Sequence, residues 1–167
     1  MDVIIQSTLK TLQKSHYIIA NLTDGQLSDT SVSPYYSSIG SHIRHILDFY
    51  HCILNRDSKN RIDLTARCRN KDIESCSNLA TDYLDRTIEA LKSSKYELDE
   101  RVIVTDDLGL GKIEMSYTLA AILSQAHSHT IHHYAIINYI LDGLDIHLED
   151  SSLGYNPTTP QKQIQDK

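Results

Sequence analysis

The sequence predicts an all-α protein, a four-helix bundle with a small β-hairpin-like insertion before the last helix. Three observations lead there. Four segments of about 20 residues each carry an apolar stripe at helical spacing. Polar, Gly/Pro-marked or charged connections separate them. One stretch, between the third and fourth helices, switches to a strand-like pattern with a two-glycine turn. Four amphipathic helices in one small chain bury their stripes most simply against one another.

The first helix runs from about Val3 to Leu22, with Ile5, Leu9, Leu12, His16 and Ile19 spaced 4-3-4-3. A polar loop, Thr23 to Pro34, follows. The second helix spans about Tyr36 to Asn55, with Ile39, Ile43, Ile46, Leu47, Tyr50, Ile53 and Leu54 on a broad apolar face. The charged connection from Arg56 to Asn70 shows no clear period. The third helix covers about Lys71 to Ser93, striped by Ile73, Cys76, Ala80, Leu84, Ile88 and Leu91. Arg101–Thr105 and Lys112–Tyr117 then read as strands around Asp106–Gly111. The fourth helix, about Thr118 to Leu141, repeats 3-4-3-4 through Leu119, Ile122, Ala126, His129, His133, Ile136 and Ile140, with Gly143 as its expected stop. Residues 1–150 are expected to form the bundle and 151–167 a polar tail whose end frays.

Composition narrows the function. The chain has 167 residues, 40% hydrophobic and 23% charged, and a net charge of −6. An acidic protein of this kind lacks the basic face that nucleic acid or an anionic membrane demands. No segment approaches the ~20 apolar residues that span a bilayer. The start lacks the basic region of a secretory signal, and the three cysteines, Cys52, Cys68 and Cys76, form no CxxC pair. A reducing, cytoplasmic setting is therefore expected, with no disulfide framework.

Histidine is the unusual residue. There are nine, and seven fall in two windows: His42, His45 and His51, then His127, His129, His132 and His133. His129 and His133 lie four apart on one helical face and within the apolar stripe. Two inward imidazoles need partners, because an unpaired buried polar group costs a few kcal/mol. A shared metal ion satisfies both, as would hydrogen bonds to neighbours. A third ligand would come from the second helix. Its apolar face slightly favours His42, which lies within the margin, over His45 at the edge beside Cys52. His16 and His127 read as core or hydrogen-bonded histidines.

Other signals fail. His129-Thr130-Ile131-His132-His133 places Thr130 where the HExxH general base would stand. Gly109-Leu110-Gly111-Lys112 lacks the full phosphate-loop spacing and sits between strands, so a turn is expected. Cys52 reads as a buried free thiol. Tyr35, Tyr36, Tyr50, Tyr134 and Tyr139 could line a pocket or fill the core.

His45-Ile46-Leu47-Asp48 in the second helix, followed by His129-Thr130-Ile131-His132-His133 in the fourth, resembles the DinB/YfiT-like metal-binding superfamily. The likeness covers most of the chain, including the long second connection, the β-like insertion and the ending LGYNPTTPQK. It implies an up-down-down-up four-helix bundle and a divalent metal, zinc or nickel, held by three histidines. On this pattern the ligands are His45, His129 and His133, with His42 as the alternative to His45. Asp48 and His132 are candidates to orient the ligands. The resemblance also implies a homodimer and a low-molecular-weight thiol cofactor, since characterised relatives include metal-dependent thiol transferases.

Three neutral imidazoles leave a coordination position open, the pattern of catalytic zinc. The expected function is thus a metal-dependent transferase or hydrolase acting on a small molecule. The competing expectation is a non-catalytic bundle, with structural metal or none, serving dimerisation or partner binding. A ligand sphere sealed by a fourth protein group would favour the latter.

Overall fold

A computed structural model describes residues 2–93 and 95–159. The chain is helix-rich, with a small three-stranded sheet. Its elements are α1 (Val3–Ala20), α2 (Asp24–Ser28), α3 (Ile39–Leu54), β1 (Arg61–Asp63), α4 (Asp72–Ser75), α5 (Ser77–Ser93), β2 (Arg101–Asp107), β3 (Lys112–Thr118) and α6 (Leu119–Gly143). The four long helices are α1, α3, α5 and α6. Helix α3 packs on α5 and α6, and α1 packs on the same two. Leu12, Ile18, Ile43, Ile46, Leu47, Ile53, Leu84, Ile122 and Ile137 fill the space between them.

Local chemistry sets the boundaries. Asp2 accepts from the Ile4 amide at 2.7 Å and opens α1. Ser38 caps α3 through the Ser41 amide, so this helix starts at Ile39, not at Tyr36, which adopts φ 50 in the preceding loop. The loop after α1 is not wholly irregular. Thr23 and Gln26 form a reciprocal capping box that starts the one-turn helix α2.

The expected third helix is two helices. Cys76 takes an extended conformation, φ −133 and ψ 110, between α4 and α5. Asp24 of α2 accepts from both the amide and the hydroxyl of Ser77, at 2.8 and 2.6 Å, and so holds the start of α5. Gly40 lets α4 approach: a Cβ there would sit 2.0 Å from the Glu74 carbonyl oxygen.

The hairpin forms as expected. β2 and β3 pair antiparallel, Val104 opposite Met115. The turn is closed by Asp107, whose Oδ1 accepts from the Gly109 and Gly111 amides at 2.7 and 3.2 Å. Both glycines have positive φ, 97 and 109, and their amides face their own carboxylate, which a phosphate-binding loop would not allow. The connection 56–70 adds β1, which pairs parallel to β2 with Ile62 opposite Val104. Ile62, Leu64, Val102 and Val104 are all buried, so this face of the sheet closes onto the core.

Gly143 is the last helical residue, not the stop. Leu144 caps α6, and Asp145 takes the left-handed φ, 56. The chain beyond then returns to the helices. Lys14 of α1 donates to the Ser152 hydroxyl at 2.6 Å and pairs with Asp150 at 3.3 Å. Leu153 is buried, and Gly154, φ 77, lies so close to α6 that a Cβ would meet Ala135 Cα at 2.6 Å. The end expected to fray, from residue 160 onward, falls outside the described residues.

Candidate metal centre

The centre lies where α3 meets α6. The α3 face that faces the core includes Ile43, Ile46, Leu47 and Tyr50. His42 and His45, on its flank, are half-buried. On α6 the core face runs through Leu119, Ile122, Ala126, Thr130, Tyr134, Ile137 and Leu141. Thr130 bonds its own helix at Ala126 and lies 3.2 Å from the Tyr50 hydroxyl, while Ser15 and Tyr134 meet at 2.6 Å. These contacts fix the rotation of α6. His133 thereby becomes buried and His129 half-buried at the α3 boundary.

His45, His129 and His133 converge. Their donor nitrogens all lie within 4.8 Å of one another. His129 Nε2 is 2.9 Å from His45 Nε2 and 3.0 Å from His133 Nε2. Metal–nitrogen bonds of ~2.0–2.1 Å at tetrahedral angles separate ligand nitrogens by about 3.3 Å, so a spread of a few tenths admits an ion. Among the described residues no fourth His, Cys, Asp or Glu joins the group.

The three rings are held neutral, as ligands must be. Burial is the first cause at each. It lowers His45 to about 3, assisted by the Arg67 charge and by His129. His129 falls to about 4, with Arg67 and His132 adding to burial and Asp106 opposing. His133 falls to about 2, with His129, His45 and His42 reinforcing burial. A cluster of imidazoles in a partly dry site cannot share several protons, because each charge disfavours the next.

The remaining candidates separate cleanly. His42 stands behind His133, with the two Nδ1 atoms 2.8 Å apart and the Ser37 hydroxyl 2.8 Å from His42 Nε2. It thus holds the nitrogen of His133 that faces away from the group. Among the described residues, the Asp48 carboxylate hydrogen-bonds to none of the histidines. Fully buried, it accepts from Arg44 at 2.5 Å, Tyr83 at 3.1 Å and the Arg69 amide at 3.3 Å. It anchors the loop that follows β1. His132 is exposed, its ring 5.4 Å from that of His133. His16 pairs at the surface with Asp85 of α5 at 2.9 Å, outside the core where it was expected. His127 is half-buried, and its Nδ1 has no partner among the described residues. Cys52 is a buried free thiol pushed up to about 11, chiefly by burial. Tyr50 and Tyr134 are core residues; Tyr35, Tyr36 and Tyr139 are exposed.

Two neighbours had no sequence signal. Phe49 packs its ring 5.1 Å from that of His129. Arg67, in the aperiodic connection, donates from Nη1 to His45 Nδ1 at 3.1 Å and from Nε to the Leu64 carbonyl at 2.9 Å.

No family model and no curated protein matches the chain. The solved structures do. The crystal structure of a DinB-like protein, YjoA from Bacillus subtilis, superposes with a TM-score of 0.63 at 20% identity, covering 89% of this chain and 94% of that one. No helix here is long and apolar enough to cross a membrane. At that identity the likeness is one of fold, and it agrees with what HILD and HTIHH implied: the chain carries a DinB-like fold with three histidines gathered where it could hold a metal ion.

Proposed function

We propose that this protein is a DinB-like, divalent-metal-dependent enzyme, an up-down-down-up four-helix bundle in which His45, His129 and His133 hold zinc or nickel. The observation that carries the proposal is the meeting of three neutral imidazoles from α3 and α6 at one point. The absence of a fourth protein donor among the described residues favours an open coordination position over a sealed structural site. When bound, such an ion supplies Lewis acidity and lowers the pKa of water or of a thiol at that position.

The chain's own residues supply the rest. His42 and Ser37 orient His133, Phe49 shields His129 from solvent on one side, and Arg67 places a positive charge at the rim. The reaction class this supports is group transfer or hydrolysis on a small molecule, with a low-molecular-weight thiol as co-substrate in the transferase case. Metal analysis tests it. Purified protein is expected to carry one divalent ion per chain, and His129→Ala/His133→Ala to carry none. Equal metal content in the two proteins would remove the proposal.

A further inference from the structure

Arg67 differs from the other arginine near the centre. Arg44 is neutralised twice, by Asp48 at 2.5 Å and by Glu74 at 2.7 Å. Arg67 is also half-buried, yet among the described residues no carboxylate forms an ion pair with it. Its Nε is fixed by the Leu64 carbonyl, and its Nη1 rests against His45, 3.1 Å from Nδ1 and 3.5 Å from Nε2. The guanidinium is therefore held at the edge of the three-histidine group, with donors left over. A partly desolvated cation without a counter-charge is costly, and a guanidinium fork matches carboxylate and phosphate groups.

The support for this placement is built into the fold. Leu64 is buried beside the sheet, and Asp48 grips the Arg69 amide at 3.3 Å. The loop is thus tied two and three residues to either side of Arg67. Asp106, whose charge reaches His129, forms no ion pair with Arg67 among the described residues. An imidazole that offers the lone pair of Nε2 to an ion keeps its proton on Nδ1. Arg67 then loses its acceptor at His45, and Nη1 becomes free for an incoming group.

We infer that Arg67 is a substrate-binding residue, and that the small molecule taken by this centre carries an oxyanion, a carboxylate or phosphate group, which Arg67 receives beside the three histidines. The inference rests on the metal reading above and specifies its substrate class.

The test uses zinc-loaded, nitrogen-15-labelled protein titrated with sodium acetate and, separately, sodium phosphate, with sodium chloride holding ionic strength constant. The ring signals of His45 and His129 are followed by NMR. In the unaltered protein they are expected to shift saturably with at least one of the two anions; the anion that acts identifies the group. In Arg67→Gln the apparent affinity is expected to fall about tenfold or more. Zinc content and the response to free imidazole, an uncharged ligand, are expected to stay the same, which shows that the variant is folded with its centre intact. Zinc held normally with equal anion affinity in both proteins, or with no saturable shift by either anion, overturns this inference alone. Failure to hold zinc at all overturns the metal reading and this inference together.

Discussion

At the residue scale, two groups of side chains near the centre behave in opposite ways. The histidines are kept uncharged by burial and by one another, while Asp48 is kept in a fully buried position by three donors. The histidines give a pH dependence whose sign is fixed. Each has a folded-state pKa far below the unfolded value of about 6.5, so below that pH the unfolded chain takes up protons that the folded chain refuses. Their effect on stability is therefore neutral above about pH 6.5 and increasingly unfavourable as pH falls toward 4. Metal-free protein is expected to show a urea midpoint that drops as pH falls from 7.5 to 5. His129→Ala/His133→Ala is expected to flatten that drop, and an unchanged slope would contradict the assignment. Asp48→Ala is expected to cost about 1–3 kcal/mol, because it removes one of the two carboxylates on the Arg44 guanidinium, leaving Glu74 alone, and takes away the acceptor of Tyr83 and the Arg69 amide. Urea denaturation measures it, and Asp48→Asn, which keeps an acceptor for Tyr83 and Arg69, is expected to cost less.

At the scale of elements, the long helices were legible because their apolar positions recur at a fixed period. Ile5, Leu9, Leu12 and Ile19 on α1 are buried as the stripe requires, as are Ala80, Leu84, Ile88 and Leu91 on α5. The short elements were harder for distinct reasons. Thr23 and Gln26 carry a capping-box signature, but α2 is only five residues long and its apolar content is a single buried Leu27. Around β1 the alternation is confined to Ile62 within the strand and Leu64 just after it, too few positions to register as a period. The break at Cys76 leaves no mark in the stripe, since Ile73 and Ala80 are both buried on either side of it. Asp24, 53 residues from Ser77 in sequence, is what holds that junction. Gly40 is where the α4 backbone comes close against α3. Gly40→Ala is expected to push α4 off α3 and destabilise the protein by about 1–3 kcal/mol, as overpacking does, read by the thermal or urea midpoint.

At the scale of the whole molecule, the helices, the sheet and the returning C-terminal segment share one core. Leu153 belongs to it, clamped between Lys14 on α1 and the close approach of Gly154 to α6. Leu153→Ala is expected to lower stability by about 2–4 kcal/mol, the cost of an emptied core site; a loss under 0.5 kcal/mol would mean that this segment is not part of the cooperative unit. The sequence by itself determined the helical class, the hairpin and the candidate histidines, because helix stripes, strand alternation and i,i+4 spacing are local properties of the chain. It also reached the DinB-like fold through two short motifs. Only the tertiary structure decided which side chains meet at the centre. Periodicity favoured His42, yet the packing of α3 against α6 brings His45 to His129 and turns His42 onto the far nitrogen of His133. Asp48, three residues from His45, bonds the loop instead of one of the three histidines, and Arg67 reaches the centre from a segment with no pattern at all. The physical reason is the same in each case. Spacing fixes the angle of a side chain about its own helix, but which partner it meets depends on how two helices and a loop are rotated and set against one another.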